Sequence, residues 1–224
     1  MPKAEWRAEA EAELAALPRT EQLSIGRAAV RLEALGSQLP FPHQSAVRGT
    51  TGLREVRPKS GGSSRRAFYR RIVPEVFKIG AVGPEYLVNR KGFDRSICLA
   101  EQRLSEFEEY EGVTMAYKES KTTGEVMEGL VERDPKLRQE WERTALARAV
   151  AIEIIRYRAE NDVCQAELAK RLNMHQPTIA MLEEGEFNPS IAILRRLSEK
   201  LGVNMTINIH SGGVDVEPLT KASA

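Results

Sequence analysis

Hydrophobic and polar positions follow two different patterns along the chain, and the pattern changes near residue 112. Before that point, two helical stretches precede several short β-rich runs, and a third helical stretch closes the half. The helical stretches cover 4–17, 22–36 and 93–110, and the β-rich runs cover 53–58, 65–73 and 76–82. Tight turns between the β-rich runs predict an antiparallel meander. The pattern as a whole is typical of a small α+β domain.

The second half is helical almost throughout. Asp134 and Pro135 form a typical helix start, and the helix predicted after them continues to Asn161. Residues 203–210 alternate between apolar and polar side chains, which predicts a short edge strand or one arm of a hairpin. We therefore expect four segments: an α+β domain over 1–112, a linker or leader over 113–133, an all-α domain over 134–202 and a C-terminal strand or hairpin over 203–218.

Composition excludes several classes of protein. Of the 224 residues, 42% are hydrophobic and 29% are charged, the balance of a soluble globular protein. The sequence has no apolar run of membrane-spanning length, and its first residues do not resemble a signal peptide, so we expect a cytoplasmic protein without a membrane partner. Cys98 and Cys164 lie far apart and the chain has three histidines, so we expect reduced thiols, no metal and no cofactor.

The net charge of +1 conceals two opposite charge clusters. Residues 48–71 carry eight cations and one acid, and residues 101–114 carry one cation and five acids. A segment as basic as the first favours a polyanionic partner.

The most specific stretch of the chain is residues 163–202. Residues 165–172 predict a short helix, Asn173 and Met174 a tight turn, and residues 176–184 a second helix with Pro177 in its first turn. A helix pair of this kind places its second helix in the major groove of DNA.

This stretch resembles the repressor-type (XRE, or Cro/C1-like) helix-turn-helix family. The matching residues are Gln165, Ala169, Gln176, Thr178, Glu183, Glu184, Gly185, Asn188, Pro189 and Ser190. The resemblance implies operator binding, and a glutamine at the position of Gln176 can bond adenine N6 and N7 together. The expected DNA-binding residues are Gln165, His175, Gln176, Pro177, Thr178, Ala180 and Met181. Repressors of this type usually bind palindromic operators as symmetric dimers, so we also expect a homodimer.

The basic segment resembles a second family. Leu53-Arg54-Glu55-Val56-Arg57 and Arg66-Ala67-Phe68-Tyr69 are similar to the RelE/ParE superfamily of toxins, particularly its HigB-like branch, over about residues 5–110. Residues 116–210 in turn resemble HigA-type antitoxins. The first resemblance implies metal-independent mRNA cleavage on the ribosome, in which the ribose 2′-hydroxyl attacks the adjacent phosphate while cations neutralise the developing charge.

The resemblance also implies site residues. Arg66 would be the transition-state cation and Arg57 its neighbour, Tyr69 would stack on a base or donate a proton, and Glu55 would act as base. Further RNA-binding residues would be Arg54, Arg65, Arg70, Lys78, Arg90 and Lys91. Because side chains alternate along a strand, Arg54 faces opposite to Glu55 and Arg57, so we favour Arg57 and Arg66 over Arg54.

Three hypotheses follow. The first is a toxin–antitoxin fusion, in which a C-terminal antitoxin restrains an N-terminal mRNA interferase and represses transcription. The second is a non-enzymatic transcriptional regulator with a degenerate toxin domain, because relatives carry more cations on the last strand than Lys78 alone. The third, a basic adaptor on nucleic acid, does not explain the helix-turn-helix. The first requires the arginines to converge without being neutralised by carboxylates.

Overall fold

The computed structural model describes residues 2–61, 63–105, 120–210, 213–217 and 219–221. It divides into two compact units, residues 1–137 and 138–224.

In its described residues, the first unit combines a six-stranded sheet with four helices. Its elements are β1 (Lys3–Trp6), α1 (Ala8–Ala15), α2 (Arg19–Leu35), β2 (Gln44–Ala46), β3 (Leu53–Val56), β4 (Arg65–Val73), β5 (Val76–Pro84), α3 (Arg90–Ser105), β6 (Lys121–Thr122) and α4 (Thr123–Arg133). Short 3-10 turns occur at Gly36–Gln38 and Pro58–Gly61. The strand order is β2-β3-β4-β5-β1-β6. The antiparallel meander of β2 to β5 confirms the predicted α+β class.

The beginning of the chain differs from its prediction. Residues 4–6 were expected to be helical, but they belong to β1, which runs parallel to β5 with Ala4 beside Phe77 and Trp6 beside Ile79. Ala4 and Trp6 are buried, whereas Glu5 lies on the other face of the sheet and pairs with Lys78. Four residues of alternation are too few to stand out beside the alanine-rich helix that follows.

The predicted linker over 113–133 also differs from the structure in its second part. Residues 106–119, which include the end of the helical stretch predicted over 93–110, lie outside the described residues, whereas residues 121–133 form β6 and α4. A capping box between Thr122 and Glu125 starts α4. The helix packs on α2 and β1, and Trp6 Nε1 donates to Thr123 Oγ1 at 3.1 Å.

Two glycines of β5 let α3 approach the sheet closely. A Cβ atom on Gly83 would lie 2.0 Å from Ser96 Oγ, and one on Gly80 would lie 2.8 Å from Leu104 Cγ. The core under α3 consists of Val47, Leu53, Phe68, Ala81, Ala100 and Leu104. Helix α3 thus packs on one face of the sheet. Glu55 and Arg66 lie on the same face as Phe68, next to this core.

The second unit consists of helices followed by short strands. Its elements are α5 (Pro135–Arg143), which begins just before the division, α6 (Ala145–Glu160), α7 (Gln165–Arg171), α8 (Gln176–Glu184), α9 (Ile191–Leu201), β7 (Val203–Asn204), β8 (Ile207–His210), β9 (Gly213–Val216) and β10 (Thr220–Lys221). The helix expected from Pro135 to Asn161 is interrupted at Thr144, whose hydroxyl donates to the carbonyls of Glu140 and Trp141. Strands β8 and β9 form the predicted hairpin.

The core of this unit lies between α6, α7, α8 and α9. Its buried members are Val150, Ile154, Val163, Leu168, Ala169, Leu172, Ile179, Leu182, Leu194 and Leu197, and Met174 and Ile193 pack against them. No helix in the described ranges is long and apolar enough to cross a membrane.

Candidate functional site

The two helices of the helix-turn-helix are positioned by local sequence signals. The Cys164 side chain accepts a bond from the backbone of Glu167 at the start of α7, and Pro177 lies in the first turn of α8. Gly185 ends α8 in the left-handed conformation, with φ of 66°. A Cβ atom there would lie 3.2 Å from Arg148 Cα on α6, so glycine serves both the backbone conformation and the close approach.

The start of α8 and one of its faces are open to solvent. Four of the seven expected DNA-binding residues are exposed, namely His175, Gln176, Pro177 and Met181. Thr178 and Ala180 are half-buried. Positions 176, 177, 180 and 181 share one side of a helix. The exposed side therefore offers one amide side chain among small and apolar groups.

Gln165, the seventh expected DNA-binding residue, is buried and bonded to protein groups. It is 8% exposed, and its Nε2 donates to Glu183 Oε2 at 2.8 Å. Its Oε1 accepts a bond from Gln176 Nε2 at 3.0 Å. Gln165 therefore orients the side chain of Gln176.

Beneath this pair lies a buried ion pair that sequence reasoning missed. Arg158 Nε donates to Glu183 Oε1 at 2.6 Å, and the two side chains are 3% and 0% exposed. The interaction joins α6 to α8, and Gln165 extends it to α7. Glu183 belongs to the residues that match the helix-turn-helix family, but 25 residues separate it from Arg158, so no local spacing indicates the pair.

In the first unit, Arg66 is enclosed by protein groups. Its side chain is 1% exposed, and its Nη1 donates to the carbonyls of Ser63 and Arg65, each at 2.7 Å. Its Nε lies 3.8 Å from Glu55 Oε2, and its Nη2 lies 3.7 Å from Glu85 Oε1. Burial lowers the pKa of Arg66, while the two carboxylates oppose that shift.

Glu55 also contacts the other arginine of this site. Its Oε1 lies 3.6 Å from Arg57 Nε and accepts a bond from Ser45 Oγ at 2.8 Å. Glu55, Arg57, Arg66 and Glu85 form a cluster, here called the Arg66 cluster, in which two guanidinium groups face two carboxylates. Their charges balance.

Tyr69 is not part of the Arg66 cluster. It pairs with Arg54 across β3 and β4, on the opposite face of the sheet from Glu55. Both Tyr69 OH and Arg54 Nε donate to Gln44 Oε1, the latter at 2.8 Å. Burial raises the pKa of Tyr69 to about 12. The four expected catalytic residues therefore divide into Glu55, Arg57 and Arg66 on one side and Tyr69 on the other.

The six expected RNA-binding residues are also dispersed. Arg54 and Arg65 are half-buried and Arg70 is buried. Lys78 is 1% exposed, with its Nζ 3.0 Å from Glu5 Oε2 and 2.9 Å from Ser120 Oγ. Only Arg90 and Lys91 of this set are exposed, and the Arg90 guanidinium lies 5.5 Å from the Tyr86 ring centroid.

Among the residues that the structure describes, no group of three or more His, Cys, Asp and Glu side chains is arranged to hold a metal ion. Cys98 and Cys164 are exposed free thiols.

Comparison with known families identifies one domain in each unit. Residues 154–208 match the helix-turn-helix family of the XRE type. Residues 12–73 match the phage-derived Gp49-like family (DUF891), which is RelE-like. Each match covers about a quarter of the chain, and the HigB-like branch and HigA-type antitoxins stay predictions. Comparison with curated proteins and with solved structures gave no match. The chain thus combines a toxin-like domain with a DNA-binding helix-turn-helix, as a toxin–antitoxin-like DNA-binding regulator does.

Proposed function

We propose that this chain is a transcriptional regulator of the toxin–antitoxin type, which binds a palindromic operator as a homodimer through α8. In this proposal its toxin-like domain does not cleave RNA with the Arg66 cluster. The observation that carries it is the contrast between the two sites. The side chains of α8 that would contact bases lie on an exposed face, and Gln165 orients Gln176 among them. The expected catalytic arginine, Arg66, is instead enclosed between carboxylates.

The exposed side of α8 suits direct contact with bases. The Gln176 amide can pair with adenine, and Pro177, Ala180 and Met181 offer apolar surface to thymine methyl groups. The ion pair of Arg158 and Glu183 supports Gln165, which holds Gln176 at the start of the helix. Because the reading group is held by a buried network, less side-chain entropy is lost when DNA binds.

The Arg66 cluster supports the non-enzymatic hypothesis. In metal-independent cleavage of a phosphodiester, negative charge develops on the phosphoryl oxygens in the transition state. Excess positive charge from the protein must stabilise it. Glu55 and Glu85 neutralise the two arginines of the cluster. Tyr69 lies on the other face, and with a pKa of about 12 it is a weak proton donor at neutral pH.

Operator binding is tested with the full chain on duplexes selected from a random library. We expect a palindromic site that binds two chains, because repressors of this kind read paired half-sites. Gln176→Ala should weaken binding by about 1–3 kcal/mol, the cost of one lost bidentate base contact. Gln139→Ala, which removes another exposed glutamine amide from α5, is the matched control and should bind normally. Equal affinity for scrambled duplexes would remove the proposal of specific binding.

RNA cleavage is tested with residues 1–137 and, separately, with the full chain. We expect translated mRNA to remain intact and growth to continue when either is expressed. The match of residues 12–73 to a RelE-like family keeps the mRNA interferase as the second candidate. Cleavage by residues 1–137 that is lost in Arg57→Gln, a change that leaves the buried Arg66 in place, would establish that second candidate instead.

A further inference from the structure

A cavity of about 580 Å³ opens where β3 begins, β4 ends and β5 begins. Its deepest lining residues are buried: Gln44, Tyr69 and Phe77 are 8%, 1% and 2% exposed. Its rim is exposed and includes Thr51 and Arg71. Arg54, Arg70 and Arg71 all line it, so we call it the triple-arginine cavity.

The triple-arginine cavity is separate from the Arg66 cluster. Arg54 and Tyr69 face away from Glu55, on the other side of the sheet. The cavity also differs in charge, because none of its described lining residues is acidic while three are arginines. Arg70 follows Tyr69 on β4 and pairs with Leu53, so its side chain belongs to the other face of the sheet. Arg54 and Arg71, without a lining carboxylate, favour an anionic ligand.

One arginine of the cavity is held in place before any ligand binds. Gln44 Oε1 accepts bonds from Arg54 Nε and from Tyr69 OH, and Gln44 Nε2 donates to the carbonyl of Leu39. Gln44 thus fixes the orientation of Arg54. A guanidinium that is already oriented binds phosphate oxygens with less loss of side-chain entropy than a mobile one.

The floor of the cavity is aromatic. The rings of Tyr69 and Phe77 meet edge to face, with centroids 6.0 Å apart and an angle of 66° between planes. A ligand that places an anion near the arginines therefore meets apolar ring surface deeper in the cavity. Ligand pockets of this kind combine a mostly apolar lining with a few polar anchors.

We propose that the triple-arginine cavity binds a phosphorylated small molecule of nucleotide size. Its phosphate would bind Arg54 and Arg71, which lie on the same face of the sheet as Tyr69, and its ring system would contact Phe77 and Tyr69. The volume lies within the range of small-ligand pockets, and the buried floor suits a compact molecule better than an extended strand, which proteins bind in open grooves. This proposal does not depend on operator binding.

The test uses the full chain and nucleoside 5′-monophosphates in isothermal titration calorimetry. We expect saturable binding of at least one monophosphate, weaker binding of inorganic phosphate and none of the unphosphorylated nucleosides. Arg71→Gln should lower the affinity about tenfold, as expected for one lost charge-assisted contact. Arg95→Gln, which removes an exposed arginine of α3 away from the cavity, should leave the affinity unchanged.

A second variant tests the location by shape. Thr51 is exposed at the rim, so Thr51→Trp should fill the entrance and abolish binding while circular dichroism confirms an unchanged fold. Three results would overturn the proposal. They are no binding of any monophosphate at millimolar concentration, binding that is unchanged in both Arg71→Gln and Thr51→Trp, and binding of short RNA oligonucleotides without binding of mononucleotides.

Discussion

Burial decides the chemistry of the single residues on which the two candidate sites depend. Arg66 and Gln165 both belong to motifs that indicate contact with nucleic acid, and both are buried and bonded to protein groups. A buried cation retains its charge only with partners, so Arg66 is held by Glu55 and Glu85. Burial also disfavours the charged form of Tyr69 and thereby raises the pKa of its hydroxyl to about 12.

The raised pKa of Tyr69 predicts a specific dependence of stability on pH. A tyrosine in an unfolded chain ionises near pH 10, whereas Tyr69 in the folded chain keeps its proton to about pH 12. Between these values the unfolded state binds fewer protons, so the free energy of unfolding falls as the pH rises. We expect this residue to contribute a loss of about 2–3 kcal/mol across that interval.

The measurement compares urea unfolding of the wild-type chain with that of Tyr69→Phe from pH 8 to pH 12. The difference in the free energy of unfolding between the two proteins should be constant up to about pH 10. Above that pH it should change in favour of Tyr69→Phe. Parallel curves throughout the alkaline range would mean that Tyr69 ionises normally.

At the scale of elements, close helix–sheet contact depends on where glycine occurs in β5. Gly80 and Gly83 lie against α3, and a Cβ atom on Gly83 would come within 2.5 Å of Ser96 Cβ. Packed interiors do not absorb even one added carbon without a shift of neighbouring atoms. Phe68 of β4 and Phe93 of α3 also pack edge to face, with ring centroids 5.3 Å apart.

We therefore expect Gly83→Ala to destabilise the protein by about 1–3 kcal/mol, the usual cost of overpacking. Gly129→Ala is the matched control, because Gly129 lies inside α4 with nothing within 4 Å of its added Cβ atom. That change should stabilise the protein by about 0.5–1 kcal/mol through helix propensity. Thermal unfolding of both variants provides the comparison, and equal effects would show that α3 adjusts without cost.

At the scale of the whole molecule, the first compact unit ends later than the sequence pattern indicates. The first unit reaches residue 137 and includes β6 and α4. Val126, Met127 and Leu130 of α4 are buried, and β6 pairs with β1 at Trp6 and Lys121. The sheet of the first unit is thus completed by the segment for which the sequence pattern predicts a linker or leader.

This division predicts different behaviour for two fragments. Residues 1–137 should unfold cooperatively, whereas residues 1–112 should be less stable, because truncation exposes the faces of α2 and β1 that α4 covers. Circular dichroism during heating distinguishes the two fragments. Equal melting temperatures would show that α4 and β6 add nothing to the stability of the unit.

Local patterns determined most of the elements. The strands β3, β4 and β5, the turn at Pro74 and the helices α7 and α8 follow from alternation, helical spacing and capping signals that involve residues close in sequence. The helix-turn-helix was predictable because its side-chain pattern and its turn lie within 40 residues. Segments without such a signal, such as β1 and β6, acquired their structure by pairing with a distant strand.

Only the tertiary structure decided which charged side chains remain exposed and which are paired within the protein. Alternation along β3 already separates Arg54 from Arg57, but it does not reveal that Glu85, from the end of the meander, reaches Arg66. Likewise, the approach of Arg158 to Glu183 and the gathering of Arg54, Arg70 and Arg71 around one cavity depend on chain packing. Electrostatic pairing and burial act across space, so residue type and local spacing specify the elements but not the exposure of their charged groups.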